Sequence, residues 1–240
     1  MFSFKVGKSN TGNQCNIIRW FIQALTLFVL LLFIVVIFLK LYSDEKFKDI
    51  TKHAVISGLN PRTRSNTEGP CFRKNTCPEN HIGFFIQSGA ANVVPPKICV
   101  NNKLALGTIL NNAGGGINIV VLDGKSGVVV KTDHFNMYSG NVEPLIEFLK
   151  KIEMGSVVLM AVFDEGSNKL NEEARTLISE LGSSSIHSLG YRDNWVFVGG
   201  KGMTGKSNFE KHIKSDNSKN KYDNWPEMVE LEGCIPKYVQ

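Results

Sequence analysis

The chain has 240 residues, 42% hydrophobic and 20% charged, with a formal net charge of +5, a length that holds one or two domains. Nine Lys/Arg stand against four Asp/Glu in residues 1–70, and eighteen against eighteen remain in 71–240. The excess therefore belongs to the N-terminal part, and with no basic stripe interleaved with aromatics the composition excludes a nucleic-acid-binding surface.

The first expected element is a membrane span. From Trp20 to Leu39 no charged residue occurs, enough length at about 1.5 Å per residue to cross a hydrocarbon core of roughly 30 Å. Lys5, Lys8 and Arg19 precede it without an acid, whereas Asp44 and Glu45 follow Lys40, so the charge bias places the N-terminus in the cytosol. The run exceeds a signal-peptide core of about 7–15 residues and no small-x-small cleavage site follows. The expectation is a cytosolic tail over 1–19, a type II signal-anchor over 20–39 and a stem over 40–70 rich in charge, Pro and Gly.

A domain over 71–240 follows, ample for one core. Cys71, Cys77, Cys99 and Cys234 form an even set suited to an oxidising compartment. Four cysteines allow three pairings, and no CxxC or HxxxH completes a zinc set. Strands are predicted at GFFIQS, KICV, VVLMAVF, WVFVG and MVELEGC, and 116-GINIVVLDGKSGVVVKT-132 reads as a hairpin turning at Asp123-Gly124. Two helices are predicted. In 142–152, Val142, Leu145, Ile146 and Leu149 share a face behind a cap at Asn141; in 170–182, Leu170, Ala174, Leu177, Ile178 and Leu181 do so, with acids in the first turn and Gly182 at the stop. The result is an α+β class of two packed antiparallel sheets flanked by helices, preceded by one transmembrane helix.

One stretch suggests nucleotide chemistry. Gly200-x-x-x-x-Gly205-Lys206-Ser207 fits the phosphate-loop spacing, but that chemistry needs a helix whose N-terminus faces the anion. In 208-NFEKHIKSDNSKNK-221 only Phe209 and Ile213 are apolar, too few for a buried helix. The expectation is a Gly-rich turn and no nucleotide.

Catalytic constellations are absent by the same reading. The five histidines form no HExxH, no GxSxG occurs, and Asp-x-Asp is missing. Asp164 and Glu165 are adjacent acids on a strand, which point to opposite faces. The chain is expected to be no enzyme and to need no cofactor or metal.

The segments 77-CPENHIGFFIQSGAANVVPPKICV-100, 111-NNAGGGINIVVLDGKSGVVV-130, 189-LGYRDNWVFVGGKG-202 and 221-KYDNWPEMVELEGCIP-236 closely resemble the interleukin-like EMT inducer family, also called family with sequence similarity 3. The match covers essentially 71–240. The resemblance implies a lectin-like domain of two antiparallel sheets flanked by helices, cytokine-like and mainly secreted, with disulfides Cys71–Cys99 and Cys77–Cys234. The same domain type is similar to the lectin-like stem domain of the protein O-mannose N-acetylglucosaminyltransferase. That pattern implies sugar contacts at Asp164 and Arg192, while Gly115 stands where the pattern has an arginine. Tyr191 or Trp195 supplies an apolar face in this reading. The functional expectation is a secretory-pathway, cytokine-like binding protein whose partner is a cell-surface receptor or a glycan. The alternative is a Golgi-resident, membrane-anchored carbohydrate-binding module that holds a glycan or a glycosyltransferase partner.

Overall fold

The computed structural model describes residue 23, residues 25–37, residue 71 and residues 76–237. The expected tail 1–19 and stem 40–70 lie outside the described residues. The chain divides into two units, Met1–Ser65 and Asn66–Gln240.

In the first unit, residues 25–37 form helix α1, with every described side chain exposed. The membrane span expected over 20–39 is corrected here: among the described residues no helix is long and apolar enough to cross a membrane.

The second unit is α+β. Its strands are β1 (His81–Gln87), β2 (Lys97–Val100), β3 (Lys103–Leu106), β4 (Gly116–Asp123), β5 (Val129–Phe135), β6 (Ser156–Phe163), β7 (Asn194–Gly200), β8 (Phe209–Ile213) and β9 (Glu230–Pro236). Helices α2 (Glu143–Lys150) and α3 (Glu172–Glu180) interrupt them. One sheet has the order β3-β2-β1-β9 and the other β5-β4-β6-β7-β8, and every pairing is antiparallel.

The larger sheet is covered on both faces, which explains why its central strands read as unbroken apolar runs. Val120, Leu122, Leu159, Ala161, Val196 and Val198 meet Ile82, Phe84, Ile86, Ile98 and Leu106 of the smaller sheet. The alternate residues Ile117, Ile119, Val158, Met160, Trp195 and Phe197 meet Leu145, Ile146 and Leu149 of α2 and Ala174 and Ile178 of α3. Period-2 alternation thus feeds two cores from one strand. Each helix contributes the face its spacing predicts.

Helix termini follow local chemistry only in part. Asn171 caps α3, its side chain accepting the Ala174 N–H at 2.9 Å, and Gly182 just past the C-terminus takes φ 105°. At α2 the cap residue is Val142 with no side-chain bond, and Asn141 makes none. Two disulfides tie the N-terminal part of the unit to its sheet. Cys71 is bonded to Cys99 on β2, and Cys77 to Cys234 on β9, 157 residues later.

The phosphate-loop spacing falls on a hairpin. Gly200 ends β7, and Ser207 leads into strand β8, so no helix N-terminus faces the turn. Lys206 Nζ instead donates to Ser179 Oγ at 3.0 Å and to the Ser183 carbonyl at 2.9 Å.

Candidate functional site

The predicted sugar-contact residues gather at one end of the larger sheet. Gly116 is paired with Phe163, so the preceding Gly115 lies opposite Asp164, where β6 ends; β7 begins at Asn194, two residues after Arg192. Antiparallel register, rather than sequence proximity, unites positions 115, 164 and 192.

Both charged positions have unusual backbones. Asp164 has φ 64° and Arg192 φ 59°, a left-handed conformation that costs non-glycine residues free energy and needs surrounding support. At Asp164 the Glu165 N–H closes on the Phe163 carbonyl at 2.9 Å, the pattern of a γ-turn with positive φ, a strained form. The support comes from Glu165. Its buried carboxylate accepts the Ser167 N–H, the Ser167 hydroxyl at 2.8 Å, the Asn168 N–H at 2.7 Å and the Arg192 N–H. One carboxylate therefore fixes the turns carrying Asp164 and Arg192 together, and a buried charge holding four donors is well satisfied.

Arg192 is held by aromatic rings. Its guanidinium lies 4.0 Å from the Trp225 ring centroid and 5.0 Å from that of Tyr191, close enough for cation–π attraction. The Trp225 indole N–H donates to the Asp164 carbonyl at 3.1 Å, so the same ring touches both candidate residues. Asp193 does not pair with Arg192. Its Oδ2 is 2.7 Å from His212 Nε2 and accepts the Gly190 N–H, and its Oδ1 accepts the Ser215 N–H. Among the described residues neither the Asp164 carboxylate nor the Arg192 guanidinium has an ion-pair or hydrogen-bond partner.

Ionisation around the site follows its bonding. Burial pushes the Asp193 carboxyl up, but hydrogen bonds from His212, Ser215 and Gly190 outweigh it and hold the group below its ordinary value. Glu210 is likewise raised by burial and lowered further by Ser183, Ser184 and Trp195, with a net depression. Among the described residues no group of three or more His, Cys, Asp or Glu could hold a metal ion.

Trp195 is not part of this surface. It is fully buried, stacks on Phe197 at 5.6 Å, and donates its indole N–H to Glu210 Oε1 at 2.8 Å. It is a core residue beneath the helices, and the exposed Tyr191 is the predicted aromatic that remains. The residues missed were Trp225 and Glu165. Trp225 had a signal in Asn224-Trp225-Pro226, an aromatic beside a turn-forming Pro. Glu165 had a weaker one, an acid followed by Gly166 and Ser167, small residues that let backbone amides approach.

Gly115 and Gly116 differ sharply. A Cβ at Gly116, where φ is 99°, would stand 1.8 Å from the Phe135 carbonyl oxygen, whereas one at Gly115 would meet nothing within 4 Å. Buried Asn118 shapes this turn, accepting the Gly114 N–H at 2.9 Å and donating to the Gly114 carbonyl at 2.7 Å.

Comparison with known proteins adds the lineage. Residues 115–203 match the family model described as interleukin-like EMT inducer. Protein FAM3C of Rattus norvegicus is 56% identical over 167 residues, covering 70% of this chain and 74% of that protein. Protein FAM3C of Homo sapiens is 52% identical over 184 residues, 75% of this chain and 81% of that protein. Protein FAM3A of Homo sapiens is 44% identical over 167 residues, with 70% and 73% covered. The chain belongs to the interleukin-like EMT inducer (FAM3) family and is, in that general sense, a cytokine-like protein of the secretory pathway.

Proposed function

We propose that the chain is a non-catalytic binding protein whose ligand contacts run through Asp164, Tyr191, Arg192 and Trp225, the ligand being a glycan carried by a cell-surface receptor. The observation that supports this is the unpaired state of the Asp164 carboxylate and Arg192 guanidinium beside two aromatic rings. Exposed hydroxyls suit such a pair: the carboxylate accepts, the guanidinium donates, and both bonds are charge-assisted. Tyr191, half exposed at 51%, offers a ring against which sugar C–H groups stack. With Gly115 in place of a second arginine, the site carries one cation and one anion, which favours neutral sugars over acidic ones.

The test is a glycan array probed with the disulfide-bonded protein and with Arg192→Ala. Binding to neutral glycans that drops at least about tenfold in the variant, corresponding to roughly 1.4 kcal/mol, supports the reading. Binding unchanged in Arg192→Ala removes this surface from it.

A further inference from the structure

At the opposite end of the larger sheet lies a cleft of about 730 Å³, within the range of roughly 300–1,000 Å³ typical of small-molecule sites. It opens where β4 and β7 finish and β6 begins, since Asp123 pairs with Ser156 and Val157 with Gly200. Its apolar lining comes from Val121, Phe148, Ile152, Val157 and Val198, all buried. Two exposed methionines flank it. Met154 sits on Gly202, whose missing Cβ would lie 2.5 Å from the Met154 methyl, and Met203 packs 3.3 Å from the Cβ position of Gly200. Methionine on glycine makes an adaptable apolar wall.

The rim is cationic. Lys125, Lys131, Lys151, Lys201 and Lys206 line the cleft against the acids Asp123 and Glu153. The Asp123 carboxylate is already occupied by the N–H groups of Lys125 and Ser126 at 2.7 and 2.9 Å. Lys151 faces Glu147 at 3.5 Å, and Lys206 is bonded to Ser179 and Ser183. Lys131, 4.5 Å above the Phe148 ring, and Lys201 have no ion-pair partner among the described residues.

An apolar floor under unneutralised ammonium groups matches one chemistry. We propose that this cleft binds a free single-chain anionic amphiphile of the fatty-acid type, its hydrocarbon tail along Val121, Phe148, Ile152 and the methionine wall and its carboxylate at Lys131 and Lys201. Burial of the tail supplies affinity, at about 0.8 kcal/mol per CH₂, and the lysines set the preference for a negative head group.

The experiment uses the full chain with its disulfides intact and monomeric palmitate, followed by displacement of cis-parinaric acid fluorescence. The expected result is saturable binding of one palmitate per chain, butyrate inactive, and hexadecyltrimethylammonium not competing. Lys131→Glu/Lys201→Glu weakens palmitate at least about tenfold, while Arg192→Ala binds palmitate as the wild type does. The milder Lys131→Gln/Lys201→Gln, checked for a native circular dichroism spectrum, shows the same direction. Absence of saturable binding, equal competition by the cationic amphiphile, unchanged affinity in the lysine variants, or attachment to anionic vesicles without binding of monomeric palmitate would each overturn the proposal.

Discussion

The Arg192 guanidinium rests 4.0 Å from the Trp225 ring while the Trp225 indole N–H holds the Asp164 carbonyl, so two residues 33 positions apart define the floor of the candidate site. Cation–π contacts at partly exposed sites contribute about 0.5–1 kcal/mol. In ¹H–¹⁵N spectra the Arg192 Nε–H should be shifted upfield by the ring current. Trp225→Ala should return it to the random-coil position, and Trp225→Phe should keep part of the shift while losing the bond to Asp164.

Glu165 is the keystone of both strained turns. Glu165→Ala leaves four donors without their acceptor and should cost about 3 kcal/mol, lowering Tm by about 6–12 °C at roughly 2–4 °C per kcal/mol. Glu165→Gln should fall between, because its amide meets one of the N–H donors as a donor. Urea titration of the three proteins checks the order.

The two glycines ahead of β4 should behave oppositely. Gly116→Ala forces a Cβ into the Phe135 carbonyl at a φ of 99° and should destabilise by several kcal/mol, at least about 3. Gly115→Arg enters open space and should leave Tm within about 2 °C, since surface changes usually stay within ±0.5 kcal/mol. If the proposed sugar surface is right, the added guanidinium opposite Asp164 also strengthens glycan binding on the array.

The two disulfides should differ in weight. By loop-closure entropy, a separation of 28 residues for Cys71–Cys99 corresponds to about 3–4 kcal/mol, and one of 157 for Cys77–Cys234 to about 5 kcal/mol. Cys77→Ser/Cys234→Ser should therefore unfold at lower urea than Cys71→Ser/Cys99→Ser. Equal midpoints would show that strain or residual structure outweighs chain entropy.

Acid should weaken the fold through Asp193 and Glu210. Both carboxyls sit below their ordinary values of 3.8 and 4.5 in the folded chain, so the stability they contribute is complete above those values. It is lost as pH falls through the lower folded values, where protonation breaks the bonds to His212 and to Ser183. Stability measured at pH 3 relative to pH 6 should drop for the wild type, and by less in Asp193→Asn/Glu210→Gln.

Local patterning made most of the strands and both helices of the second unit legible. GINIVVLD, SVVLMAVF and WVFVG announce buried strands, and the spacing in 142–152 and 170–182 announces amphipathic helices. The exceptions are instructive. β3 and β8 lie at sheet edges, where KLAL is short and FEKHI mixes charge with apolar residues, so one-sided packing leaves too weak a pattern to read. The apolar run from Trp20 suggested a span by hydropathy alone, yet among the described residues no helix is long and apolar enough to cross a membrane.

What the sequence by itself determined is therefore what depends on neighbours within one or two turns of chain: strand and helix faces, the hairpin at Asp123-Gly124, and an even set of cysteines in the domain. Which cysteines meet, whether Trp195 or Trp225 stands under Arg192, and which acid braces the turns were decided only by tertiary structure. Two sheets of antiparallel strands set side-chain environments through register, and a residue's facing partner across a sheet or loop can be 61 positions away, as Trp225 is from Asp164. Periodicity reports that a tryptophan in WVFVG is apolar. Only the packing of α2 and α3 on that face of the sheet buries it, and the ring that stands under Arg192 comes from a distant loop instead.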